Sequence, residues 1–282
     1  MQDPRNTELE EVAVRAAAAV ASEEPVDAAV ATFLLRHYLG TDTSELRDAV
    51  GLALAQALAL AAGDDTVIGR AGWLRLLVEA TAVSDDERIR PAVDRLIAAL
   101  QTGWPGHTRI DDLAASVEAC LRAVEIVGPG ELVQDALNHL ERVIGGSYRP
   151  GDGLVRHRDG ILVRCSAADH VRGASALLTA FELTGRLPYS MLAEELIAIA
   201  VREPPSDQSL AIQCEAASVL CRLARLHDDP DYRGAAVVAT GADYRALASR
   251  ILSSQSARAR ADTVSAAAAY GLALDDLLRH VR

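Results

Sequence analysis

The strongest constraint in this sequence is a helical hairpin that recurs along the chain. The stretch Ala167–Ala200 reads AADHVRGASALLTAFELTGRLPYSMLAEELIAIA. Val171, Ala174, Leu177, Leu178 and Phe181 fall on one face of a helix. Gly185 ends that helix, because a left-handed terminal residue is cheapest as glycine. Pro188 suits the start of a second helix, whose apolar face carries Ala193, Leu196, Ile197 and Ala200. The triple Leu178, Gly185, Ala193 recurs as Leu34, Thr41, Ala49, as Leu77, Ser84, Ala92, as Leu121, Gly128, Ala136 and as Cys221, Asp228, Ala236. The first members lie 43, 44, 57 and 43 residues apart, a period that means stacked helix pairs. The small alanine lets each second helix approach the first closely.

Counting helices turns the array into a ring. Five hairpins supply ten helices, one precedes them over roughly Thr7–Ala21, and one follows over roughly Arg258–His280. An open array needs a polar last helix. Here Val264, Ala267, Ala268, Gly271, Leu272 and Leu274 make it broadly apolar, as an inner helix covered by the first helix would be. The expectation is an all-α chain, residues 1–282 forming a single α/α toroid of six hairpins and about twelve helices. One excursion interrupts it. Leu154–Arg158 and Ile161–Cys165 flank Asp159-Gly160, a tight-turn signal, and predict a small β-hairpin near 154–165. The eleventh helix reads as broken between 231–239 and 241–252.

Composition narrows the chemistry. With 50% hydrophobic and only 4% aromatic residues, the chain has an all-α character. A net charge of −12 argues against nucleic acid and anionic membranes as partners. Every basic side chain apart from histidine is arginine, so Schiff-base chemistry and a P-loop are excluded. The start, MQDPRNTELEE, is polar and acidic, and the longest apolar run, Ala49–Ala62, is too short to span a bilayer. A cytoplasmic location is expected. Cys120, Cys165, Cys214 and Cys221 lack paired-motif spacing, and three of them read as buried small hydrophobes.

In a toroid the longer connections gather at one end, beside the N-termini of the inner helices, where anionic or polar groups are favoured. That end holds the candidate chemistry. Asp111 and Asp112 open one inner helix, and Asp169 and His170 open another. Paired carboxylates suit acid–base work on a glycoside, and a histidine oriented by a carboxylate suits proton abstraction. Asp111, Asp169 and His170 are the candidate catalytic residues. Trp104, His107, Asp112, His157, Arg158, Arg172 and Gln213 are candidate ligand-binding residues. The competing expectation is that the aspartates are helix caps and the polar cluster a structural network. Cys165, His157 and His170 match no standard zinc spacing, so neither metal nor cofactor is expected.

The stretch Gly145–Ala200, with GGSYRPGDG and ADHVRGASALLTAFELTGRLPYSMLAEELI, resembles the late hairpins of the six-hairpin toroid that follows thioredoxin-like domains in a widespread uncharacterised family. The closing Tyr270–Leu278, YGLALDDLL, looks like the last helix of that domain. This toroid is similar to the N-acylglucosamine 2-epimerase and six-hairpin glycosidase folds. The resemblance implies a small-molecule, carbohydrate-like ligand and a sugar-processing hydrolase or epimerase. The alternative is a non-catalytic helical scaffold for a protein or peptide. The oligomeric state is not encoded legibly.

Overall fold

In a computed structural model, residues 4–22, 26–60, 63–64, 66–158, 160–204, 208–236 and 241–279 are described, the side chains of 45, 60 and 158 excepted. The helices are α1 (Pro4–Ala21), α2 (Ala28–Thr41), α3 (Ser44–Leu60), α4 (Val67–Ala80), α5 (Ile89–Gly103), α6 (Ile110–Val127), α7 (Gly130–Ser147), α8 (Ala167–Thr184), α9 (Leu187–Ala200), α10 (Leu210–Asp228), α11 (Pro230–Ala235), α12 (Tyr244–Ala261) and α13 (Val264–Arg279). A short 3-10 turn, Trp104–Gly106, follows α5.

The inner helices α2, α4, α6, α8, α10 and α13 each pack on the next, and α13 packs back on α2, so the ring closes. Their outer mates are α3, α5, α7, α9, α12 and, for α13, the first helix α1. The architecture is the expected α/α toroid. The recurring triple explains why it forms. Leu34, Leu77, Leu121, Leu178 and Cys221 are fully or almost fully buried, and so are all five paired alanines. Closure is tight at one point: a Cβ on Gly271 would lie 2.5 Å from Phe33 of α2.

The excursion is a three-stranded antiparallel sheet in the order β1 (Tyr148–Arg149), β2 (Gly153–Arg158), β3 (Ile161–Arg164). Val155 stands opposite Arg164 and His157 opposite Leu162. Leu154 is fully buried and anchors the sheet on α8 beside Gly173. Gly153 has φ +77°, and a Cβ there would lie 2.6 Å from His170 Nε2. Only glycine lets β2 pass this close.

Single residues set three of the helix boundaries. Gly40 does not close α2, because Asp42 takes the left-handed position at φ 49°. Pro91 delays the start of α5 to Ile89, where a missing N–H breaks no helical bond. The last helix starts at Val264, since the Thr263 hydroxyl accepts the Ala266 N–H and breaks the chain from α12. Arg258 and Arg260 therefore belong to the outer helix α12. The eleventh element divides into the short α11 and the full-length α12. In sequence the apolar pattern of α10 starts from about Asp207, which lies outside the described residues.

Among the described residues no helix is long and apolar enough to cross a membrane.

Candidate functional site

Most inner helices begin with a side-chain cap. Asp27 caps α2, Thr66 caps α4, Ser166 caps α8 and Ser209 caps α10. Helix α6 differs: its N-cap residue is Arg109, whose side chain makes no cap bond. The missing acceptor comes from the neighbouring helix. Asp169 Oδ2 accepts the Ser166 N–H at 2.9 Å and the Ser166 hydroxyl at 2.6 Å, completing a capping box on α8. Its Oδ1 accepts the Asp111 N–H at 3.0 Å. One buried carboxylate thus satisfies the starts of two helices and fixes α6 beside α8.

With its own amide so held, Asp111 turns its carboxylate to arginine. Arg109 donates to it twice, at 3.0 and 2.6 Å, and Arg172 once at 3.4 Å. Arg172 goes on to make a two-bond contact with Glu215 of α10 at 2.9 and 3.0 Å. Asp112 Oδ2 lies 3.5 Å from Arg109 Nε. The result is a chain of alternating charge across the N-termini of α6, α8 and α10. Burial pushes the Asp111 carboxyl up, but Arg109 and then Arg172 more than offset it, and the group sits below the usual carboxylate range. Asp111 is 2% exposed, whereas Asp112 is 27% exposed, so Asp112 is the carboxylate of the pair that water reaches.

On α8 and α10 the partly exposed residues form one stripe. Before the last turns these are Ala168, Arg172 and Ser175 on α8 and Ala211, Glu215 and Ser218 on α10, spaced by four and three residues. Water therefore enters the ring along its axis, and the charge chain stands at the mouth of that lumen.

The other expected site residues are placed as follows. His170 is fully buried. Its Nε2 accepts the Leu154 N–H at 3.0 Å and its Nδ1 lies 2.8 Å from the Ser166 carbonyl, which makes Nδ1 the protonated nitrogen. Burial lowers its basicity, and the ring pins β2 to α8. Trp104 is buried, donates to the Ser116 hydroxyl at 2.8 Å and stacks on His139 at 5.4 Å, so one ring face is already covered by the protein. His107 is partly exposed with a buried Nδ1 that has no partner among the described residues. Burial lowers its basicity, opposed by the charge of Asp112, which puts His107 close to that carboxylate. His157 is exposed on β2, Gln213 is buried in α10, and the Arg158 side chain lies outside the described residues. Cys165 is buried, and burial, then Asp169, push its thiol up to about 11, which keeps it protonated at neutral pH.

The sequence reading left out Arg109 and Glu215 as members of the site. Arg109 carried a signal, since it immediately precedes the Asp111-Asp112 pair. Glu215 carried none before the ring was closed. A groove of about 530 Å³ lies elsewhere, on the outer seam between α1 and α12, lined by Val12, Val14, Arg15, Ala259 and Arg260 among others. It is remote from the charge chain and marks where the first outer helix meets the last.

No family model matches the sequence, and no curated protein matches it. Solved structures do match the fold. An unsaturated glucuronyl hydrolase specific for heparin superposes with a TM-score of 0.75 at 13% identity, over 98% of this chain and 97% of that one. The α-1,6-mannanase of Salegentibacter sp. HEL1_6, in an inactive variant with two consecutive aspartates replaced and α-1,6-mannotriose bound, gives 0.71 at 11% identity, over 97% and 100%. The unsaturated glucuronyl hydrolase of Bacillus sp. GL1 gives 0.68 at 14% identity, over 91% and 86%. The chain is thus similar to six-hairpin glycosidase-like α/α toroids, and at these identities the likeness shows the fold.

Proposed function

We propose that this chain is a sugar-processing hydrolase that takes a carbohydrate into the mouth of the lumen. The observation that carries the reading is the consecutive pair Asp111-Asp112 at the start of an inner helix, one carboxylate buried and held by two arginines, the other open to water. Glycoside cleavage needs a proton delivered to the leaving oxygen and negative charge beside the oxocarbenium-like transition state. Asp112 would transfer the proton. Asp111, kept ionised by Arg109 and Arg172, would supply the fixed charge. The mannanase that shares the fold is inactive when two adjacent aspartates are replaced, which supports an adjacent aspartate pair as the reacting carboxylates here.

Asp169 and His170 then act as positioning residues: one holds α6 against α8, the other holds the sheet over α8. His107 and Arg172, both partly exposed, would offer a sugar hydroxyl a donor or acceptor, whereas Gln213, buried and off the exposed stripe of α10, would not. The narrower likeness to toroids that follow thioredoxin-like domains, a single-domain chain and a cytoplasmic location belong to the same proposal.

The test is a hydrolysis panel of α-1,6-linked mannooligosaccharides and unsaturated glucuronyl oligosaccharides, measured with the wild type and Asp112→Asn. Cleavage of at least one class is expected, with a loss of about 10³-fold in the variant and no change in thermal stability. Binding without cleavage would turn the reading to a non-catalytic scaffold. Neither binding nor cleavage of any sugar would remove it.

A further inference from the structure

Charged residues also line the lumen beyond the mouth, and they follow a register. Counting from the first residue of each inner helix, position nine is Arg36, Arg75, Glu118 and Ser175 on α2, α4, α6 and α8. Position thirteen is Glu79, Arg122, Thr179, Arg222 and Asp276 on α4, α6, α8, α10 and α13. All six inner helices contribute to this second layer, which lies toward their C-terminal ends.

The carboxylates there each hold an arginine. Arg36 donates to both oxygens of Glu79 and lies 3.5 Å from Asp276. Arg122 reaches Glu118 at 3.0 and 2.9 Å. Arg222 binds both oxygens of Glu182, the Thr179 hydroxyl and the Ser175 carbonyl. Arg279 holds Asp275 at 2.7 Å. Arg75 remains, and among the described residues it has no hydrogen-bond or ion-pair partner. It nevertheless stands near Glu118, whose carboxyl feels Arg122, Arg75 and Arg222 together. Three guanidiniums from α4, α6 and α10 thus surround one carboxylate. Arg122 spends Nε and Nη2 on a single Glu118 oxygen, and its side chain is still 35% exposed.

We propose that Arg75 and Arg122 hold an oxyanion, a carboxylate or a phosphate, inside the lumen behind the mouth. The guanidinium of Arg75 leaves its donors without an acceptor beside the half-used edge of Arg122, and an anion with two or more oxygens would fill both. The planar donor edges of arginine suit such a group. Two sources share this chemistry: free phosphate, and a ligand that carries a carboxylate such as a sugar acid.

Calorimetric titration with inorganic phosphate and with glucuronate, at ionic strength matched by chloride, tests the site. At least one anion is expected to bind saturably, and Arg75→Gln to weaken it by about tenfold or more. Among the described residues Arg75 makes no hydrogen bond or ion pair, so R75Q should stay folded at the titration temperature, losing only part of the charge that offsets Glu118. Phosphate alone binding would name free phosphate as the source, and glucuronate binding a carboxylate-bearing ligand. The proposal falls if neither anion exceeds the chloride control, or if R75Q binds as tightly as the wild type. It stands apart from the hydrolase reading, because Asp112→Asn should leave this binding unchanged whatever it does to catalysis.

Discussion

The two ends of the lumen are built from the same six helices and differ in what those helices bring. At the mouth the charge chain is carried by α6, α8 and α10, while near the same level Phe33 of α2 packs against Gly271 and Gly72 of α4 against Ala28. Toward the far end every inner helix adds a polar group, and Arg222, 9% exposed, is the most deeply held of the arginines there. A polar wedge over half of a ring leaves the remaining half free to accept a ligand. A complete polar belt ties all six helices together. On the proposed reading the mouth is the end that takes the ligand, and the belt the end on which stability depends.

Matched arginine deletions break or sharpen that contrast. Arg222→Ala removes every donor to Glu182 and Thr179 and leaves Glu118 with one fewer compensating charge. Removing one partner of a buried network of this kind costs about 3–5 kcal/mol. Arg172→Ala at the mouth leaves Asp111 with Arg109, and Glu215, 39% exposed, turns to water. A loss of about 1–2 kcal/mol is expected there. Equal losses in urea unfolding would end the distinction between a structural belt and a working mouth.

Acid should act first on the belt. Burial pushes the Glu118 carboxyl up, and Arg122, Arg75 and Arg222 more than offset it, holding it at about 2 against a usual 4.5. A carboxyl with a depressed folded-state value stabilises the fold in full above its unfolded value. That contribution is lost as pH falls from about 4.5 to about 2, and amounts to about 3 kcal/mol. Glu118→Gln should lower stability at neutral pH and flatten the fall across this window. A variant whose stability still drops as steeply as the wild type would place the acid sensitivity elsewhere, for instance at Asp111, which is also depressed.

Much of the ring was legible in the sequence because its causes are local. A helix face, a glycine stop at Gly185 and an alanine at each packing point are written within about 34 residues and repeated. The small sheet was legible for the same reason, through Asp159-Gly160. The belt was not. In LAIQCEAASVLCRLARLHD, Arg222 reads as one more arginine on a helix beside Arg225, and only ring closure buries the first while leaving the second exposed. The candidate site falls between. The aspartates at helix starts were visible, but a single sequence cannot separate a cap from a catalyst, since both want a carboxylate near unpaired N–H groups.

Asp169 is where that ambiguity is sharpest, and the expected effect of changing it is the smallest of these. As the shared acceptor for Ser166 and Asp111 it should be felt in stability. Asp169→Asn keeps the shape but turns one oxygen into an amide that must face an N–H. Loss of one side of a double cap costs about 1 kcal/mol, read as a lower urea midpoint. Once a substrate is found, any fall in its turnover should follow the loosened start of α6, and Ser166→Ala, which weakens the same cap without touching a carboxylate, should reproduce it. A base would behave in the opposite way, with turnover abolished by Asp169→Asn at unchanged stability and intact in Ser166→Ala. That outcome would move the reacting carboxylate from Asp112 to Asp169 and make α8, rather than α6, the working edge of the mouth.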